Sequence, residues 1–203
     1  MMNTEPVVYV VDDDPSMRRA LCRTITASGW EVQTYASGKE FLAACEPLRP
    51  GCVVLDLRMP SMSGLTVQEH LARREVLLPV IFITAFGEVP VAVRAMKKGA
   101  IDFLEKPFSN QRLLRCIEQG LRVNAEALQA RYLREKRDAQ LAQLTPRERE
   151  VMQLLLEGRP NKVVAAEFGL HIRTVEVHRH QIMRKMNVCS LVELFRKVSL
   201  QLS

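Results

Sequence analysis

The chain reads as two folded parts: a doubly wound α/β domain on a five-stranded parallel sheet, joined by a long helix to an all-α domain. Three observations predict this. Val- and Ile-rich runs recur at Val7–Val11, Cys52–Leu55 and Val80–Thr84, separated by segments of helical spacing. Short apolar runs of that kind suit parallel strands covered on both faces. Residues 110–143 keep a helical pattern without proline, and from residue 142 onward the chain carries helix starts and stops but no strand-like run.

Two weaker strands are expected at Glu31–Tyr35 and Ile101–Leu104. Helix starts are marked by Asp14 before Pro15, by Ser37 and by Ser109, since Pro suits the first helical position and Ser or Asp the cap. Five strands alternating with helices give the α/β domain over residues 1–122. A helical linker is expected over 123–141. In the helix, Leu114, Ile117, Leu121 and Leu128 fit part of a heptad seam, which Asn124 and Arg131 interrupt. A largely exposed connector is therefore expected, with Arg131, Arg134, Lys136 and Arg137 solvated and Gly120 as a bend or weak point. Over 142–203, Thr145-Pro146-Arg147-Glu148 forms a capping box. Gly158 stops that helix, Asn161 to Glu167 forms a short second one, and Phe168-Gly169-Leu170 makes a turn. A long helix then covers Ile172 to Met186, with a last one around Leu191, Leu194, Phe195 and Val198. This is a helix-turn-helix layout.

Composition narrows the function classes. At 47% hydrophobic and 26% charged residues, the chain has the make-up of a folded globular protein. No stretch of eighteen apolar residues and no signal-peptide pattern occur, so no membrane association is expected. The five scattered cysteines form no CxxC pair and read as reduced thiols of a cytoplasmic protein. Residues 1–122 carry 15 Lys and Arg against 14 Asp and Glu, whereas residues 123–203 carry 14 against 9. A basic second part suggests a polyanionic partner.

Ligands of doubly wound sheets bind at the carboxyl ends of the strands. There stand Asp12, Asp13 and Asp14 after the first strand, Asp56 after the third, Thr84-Ala85 after the fourth and Lys106-Pro107 after the fifth. Clustered carboxylates need a cation to stay ionised, and Mg²⁺ suits a small, partly hydrated oxygen site. Beside it Asp56 would be the nucleophile toward a phosphoryl group, with Lys106 supplying positive charge and Thr84 a hydrogen bond. The alternative is that Asp12–Asp14 only cap the first helix, which Asp14 is placed to do.

Asp12-Asp13, the stretch Leu55-Asp56-Leu57-Arg58-Met59-Pro60-Ser61-Met62-Ser63-Gly64, Ile83-Thr84-Ala85 and Lys106-Pro107 together resemble the motif set of response-regulator receiver domains, whose sheet is flavodoxin-like. The resemblance covers residues 5–122. It implies phosphoryl transfer to Asp56 from a sensor histidine kinase. It implies direct Mg²⁺ ligation by Asp13, Asp56 and the Arg58 carbonyl, with Asp12 acting through water. It also implies a switch through Thr84 and Phe103, although core packing alone would account for Phe103. The output face would include exposed Val91, Arg94, Lys98 and Phe103 and support a homodimer.

In the long C-terminal helix, about 100° per residue puts Val175, Ile182 and Met186 on one side and Arg173, Val177, His180 and Arg184 on the other. An outward Val among basic residues suits a major groove, where it can meet a thymine methyl. Arg173, Glu176, Val177 and His180 are the base-reading candidates; Lys162, Thr174 and Arg179 are the phosphate candidates. His178 reads as structural. The segment Leu144–Val151, with Gly158, Asn161-Lys162 and Thr174–Arg179, resembles the NarL/LuxR-type DNA-binding domain, and the Glu176 variant behind such a receiver resembles the FixJ-like subgroup, including regulators of styrene and toluene breakdown. Where that family often has Ser, His171 stands, a poorer cap. The resemblance implies a regulator that binds double-stranded promoter DNA when phosphorylated, activates transcription and is not an enzyme proper. Two alternatives remain: a phosphatase passing through aspartyl phosphate, and a DNA-binding regulator controlled by a small molecule or protein partner.

Overall fold

The computed structural model describes residues 5–85 and 89–199; the outermost ends of the expected domains, 1–4 and 200–203, lie outside the described residues. The chain divides into two compact units, Met1–Gln129 and Ala130–Ser203. The first contains β1 (Val7–Val11), α1 (Pro15–Ala27), β2 (Glu31–Tyr35), α2 (Gly38–Ala44), β3 (Gly51–Asp56), α3 (Gly64–Arg73), β4 (Val80–Thr84), α4 (Val89–Lys97) and β5 (Asp102–Glu105). α5 (Asn110–Ala142) begins in this unit and ends in the second, which continues with α6 (Pro146–Leu156), α7 (Asn161–Phe168), α8 (Ile172–Met186) and α9 (Leu191–Ser199).

The five strands are all parallel, in the order β2-β1-β3-β4-β5. Alternation along each strand feeds two cores. Val7, Tyr9, Val11, Val53, Leu55 and Phe82 meet α2, α3 and α4 through Phe41, Val67, Leu71 and Ala95. Val8, Val10, Val54, Ile81, Ile83 and Leu104 meet α1 and α5 through Leu21, Ile25, Leu113 and Ile117. Burial on both faces explains why β1, β3 and β4 read as unbroken apolar runs. Order 2-1-3-4-5 reverses direction between β1 and β3, so the crevice of the sheet opens at the ends of those two strands.

The start of α5 departs from the expected exposed connector. Gly120 is no bend: a Cβ there would lie 3.2 Å from the Cβ of Cys52, so the missing side chain lets the helix lie close on β3. Asn124 breaks the heptad pattern because it is a buried clip. Its Oδ1 accepts from the Gly51 N–H at 2.8 Å and its Nδ2 donates to the Leu77 carbonyl at 2.6 Å. The first residue of β3 and the loop that leads into β4 are thereby tied to the helix.

In the second unit Val151, Leu155, Val164, Val175, Ile182, Met186 and Leu194 form one core. Arg137 is not solvated as expected; it is 6% exposed and donates through Nε and Nη2 to Asp138, a pairing that offsets the cost of burying the guanidinium. No helix among the described residues is long and apolar enough to cross a membrane.

Replacing Asn124 by Ala orphans two main-chain groups and is expected to destabilise the first unit by about 2–4 kcal/mol. Trp30 packs against the core of that unit and is the only tryptophan, so urea unfolding followed by its fluorescence measures the loss.

Candidate functional site

Asp12 directly follows β1, Asp56 closes the neighbouring β3, and Lys106 follows β5. The topology brings them together. The Lys106 Nζ donates to Asp56 Oδ1 at 2.8 Å and to Asp12 Oδ2 at 3.0 Å. Local bonds hold each partner in place. Asp12 Oδ1 accepts from the Asp14 N–H at 2.8 Å, and Asp56 Oδ2 accepts from the Arg58 N–H at 2.7 Å. The Lys106 N–H donates to the Thr84 carbonyl at 2.8 Å, which registers the loop after β5 on the end of β4. Gly64 opens α3 against this site. A Cβ there would come within 2.5 Å of the Asp56 carbonyl oxygen, so only glycine lets the helix start so close.

Burial lifts the Asp56 pKa above its ordinary value and Asp12 adds to the rise, although Lys106 and the Arg58 N–H counter it. For Lys106, burial would favour the neutral amine, but the two carboxylates outweigh it and raise its pKa. Two buried carboxylates thus share one ammonium. Asp13 is exposed beside it. Among the described residues no three His, Cys, Asp or Glu side chains stand close enough together to hold a metal ion. The Asp12 and Asp56 carboxylates that meet at Lys106, and that of Asp13 next in the chain, nevertheless offer only oxygen donors. That chemistry fits a hard divalent cation that keeps part of its water shell.

Asp14 caps α1, accepting from the Ser16 N–H at 2.8 Å. Thr84 is buried at the end of β4. Phe103 is half-buried, its ring 6.4 Å from that of Phe82, so it is not exposed as expected; Val91 too packs against the core. The exposed apolar side chains of α4 are Val89, Val93 and Met96 instead. Of the expected output face, Arg94 and Lys98 are exposed, Lys98 pairing with Glu69 of α3.

In the second unit α8 buries Val175, Ile182 and Met186, and its outer face exposes Arg173, Thr174, Glu176, Val177 and His180. Val177 is 56% exposed. Arg179 and His178 are half-buried, and Lys162 is exposed in the first turn of α7. His171 does cap α8, its Nδ1 accepting from the Arg173 N–H at 3.2 Å. Gly169, at φ +62°, supplies the left-handed residue that turns α7 toward α8.

Two contacts that brace this unit have no local sequence signal. Lys185 of α8 donates to both oxygens of buried Glu148, at 2.9 and 2.6 Å, while Glu148 also completes the cap of α6. Arg147 lies 3.9 Å over the Phe168 ring and donates to the Phe168 carbonyl at 3.2 Å.

Residues 8–118 match the response regulator receiver domain, and residues 142–198 match the bacterial regulatory proteins of the luxR family. Together with the fold these define a response regulator: a receiver joined to a DNA-binding helix-turn-helix. Nodulation protein W of Bradyrhizobium diazoefficiens is 42% identical over 194 residues, covering 96% of this chain and 86% of that protein. The transcriptional regulatory protein FixJ of the same organism is 40% identical over 195 residues, covering 96% and 95%. Among solved structures, the response regulator StyR is 48% identical, with a TM-score of 0.90 over 96% of this chain and 98% of that one. The chain therefore belongs to the FixJ/NarL family of two-component response regulators. Receivers catalyse only their own phosphoryl transfer and hydrolysis, so the protein is not an enzyme proper.

Burial would raise the Glu148 pKa, but Lys185 and the Thr145 N–H more than cancel it and hold the carboxyl below its ordinary value of 4.5. A depressed carboxylate pKa adds stability above the unfolded value, and that stability is lost as pH falls through the folded one. Protection of the α6 and α8 amides from hydrogen exchange should therefore drop below about pH 4.5. In Glu148→Gln it should already be lower at pH 7, by about 2–3 kcal/mol, with a flatter pH dependence.

Proposed function

We propose that Asp56 accepts a phosphoryl group from the phosphohistidine of a sensor histidine kinase, and that this controls binding of promoter DNA by α7 and α8. The observation that carries the reading is the Lys106 ammonium held between Asp56 and Asp12 at the reversal point of the sheet. An Asp56 carboxylate oxygen attacks phosphorus, the P–N bond of the donor breaks, and the released imidazole takes up a proton. Lys106 would offset charge on the phosphoryl oxygens and Thr84 would donate a hydrogen bond to them. Mg²⁺ is the cofactor that suits the donor set, with Asp13, Asp56 and the Arg58 carbonyl as ligands and Asp12 acting through water. When bound it would neutralise charge on the incoming group and help orient it.

Thr84 and Phe103 are the switch residues of this reading. A shift of Thr84 toward the phosphoryl group leaves room at the end of β4, and Phe103 can follow. The exposed Val89, Val93 and Met96 of α4 then offer apolar area to a second copy, so the phosphorylated chain acts as a homodimer on paired half-sites. On α8, Arg173, Glu176, Val177 and His180 read base edges; Lys162, Thr174 and Arg179 hold phosphates. The expected outcome is transcription activation by a cytoplasmic regulator.

Incubation with acetyl phosphate and Mg²⁺ should add one PO₃ group, about 80 Da, to the parent chain and none to Asp56→Asn. An adduct that persists in Asp56→Asn would place the acceptor elsewhere. Lys162→Ala should weaken binding to every DNA sequence and lower the salt slope by about one unit. Val177→Ala should instead change which sequences are preferred. Filter binding at four salt concentrations, on operator and random DNA, separates the two behaviours.

A further inference from the structure

Arg18 is the fourth residue of α1, and its half-buried side chain folds back over the start of its own helix. Side chains on a helix lean toward its N-terminus, which brings the guanidinium onto the loop that follows β1. Its Nη1 donates to the Asp12 carbonyl at 2.7 Å and to the Asp13 carbonyl at 3.0 Å. Those two carbonyls belong to the peptide planes on either side of the Asp13 Cα. Holding both planes fixes the backbone dihedrals of Asp13, and with them the direction of its Cβ. The inner edge of the same loop is held by Asp12 Oδ1 on the Asp14 N–H. The outer edge has Arg18.

We propose that Arg18 is a positioning residue of the acid site: it aims the Asp13 carboxylate at the divalent cation. The inference rests on the reading of that site given above. Arg18 touches neither carboxylate in this structure and contributes no ligand, so its influence passes through the main chain. Two effects of removing it oppose each other. Loss of a positive charge near a cation site, taken alone, tightens cation binding. Loss of the clamp lets Asp13 wander and weakens it, as removal of outer-shell support does in metal sites. The sign of the change therefore identifies the role.

Mg²⁺ is titrated calorimetrically into the full-length parent, Arg18→Met and Arg18→Lys, without any phosphoryl donor. Arg18→Met is expected to bind Mg²⁺ about tenfold more weakly. Arg18→Lys keeps the charge and a nitrogen donor and should recover most of the affinity. Should Arg18→Met fail to fold, Arg18→Gln, which keeps an amide donor without the charge, is judged against Arg18→Lys and should bind more weakly. Equal or tighter binding by the charge-free variant overturns the assignment of Arg18 alone, provided the parent binds Mg²⁺ and takes up phosphoryl. A parent that binds no Mg²⁺ overturns both this inference and the metal reading it rests on.

Discussion

The receiver unit is organised around one ammonium group held between two carboxylates. Burying Asp12 and Asp56 side by side is costly, because like charges repel more strongly where water is excluded. Lys106 makes the arrangement tenable, and it can do so only because three strand ends converge. Its contacts to Asp56 and Asp12 span 50 and 94 residues of chain. The parallel sheet with its reversal between β1 and β3 is what closes those distances.

The second unit answers a different constraint, that of keeping one helix face exposed and pointed. α8 buries three apolar residues, and its far end is held by Lys185 on Glu148. Lys197 donates to the Met186 carbonyl at the last turn of the same helix at 2.6 Å. Those two lysines therefore spend their charge inside the domain, and the net basic balance of the region overstates what is open to a polyanion. Lys162, Arg173 and Arg184 are exposed on or beside the outer face. Location, and not the count of basic residues, separates the charges that brace the fold from those available to phosphates.

Most of the architecture was legible because its signals are local. Apolar runs in β1, β3 and β4, the Asp14, Ser37 and Thr145 caps and the left-handed Gly169 each declare themselves within a few residues. The acid site was legible for another reason: its members sit at strand tips, and sheet topology alone predicts that strand tips meet. What could not be read was pairing between distant polar groups. Asn124 looked like a flaw in a heptad, and Gly120 like a weak point, because nothing nearby shows that β3 lies against them. Arg137 carried the pattern of a solvated residue, and its burial depends on tertiary packing. Val91 and Phe103 sit on α4 and β5 as expected, but both pack against the core, which neither helical nor strand spacing alone reveals.

The contacts of α4 connect the site to a surface. Gln68 of α3 is buried, and its Nε2 donates to the Ala95 and Lys98 carbonyls at 3.4 and 3.3 Å, while Glu69 pairs with Lys98. The carboxyl end of α4 is thus tied to α3, and Ala95 is sealed in the core. α3 itself begins at Gly64, packed against the Asp56 carbonyl. Phe103 lies beside Phe82 on the neighbouring strand, and Thr84 shares that strand with Phe82. A change at Asp56 therefore has two short packed routes toward α4, one through the start of α3 and one through β4 and β5. Close packing of this kind leaves a side chain little room to move without its neighbour.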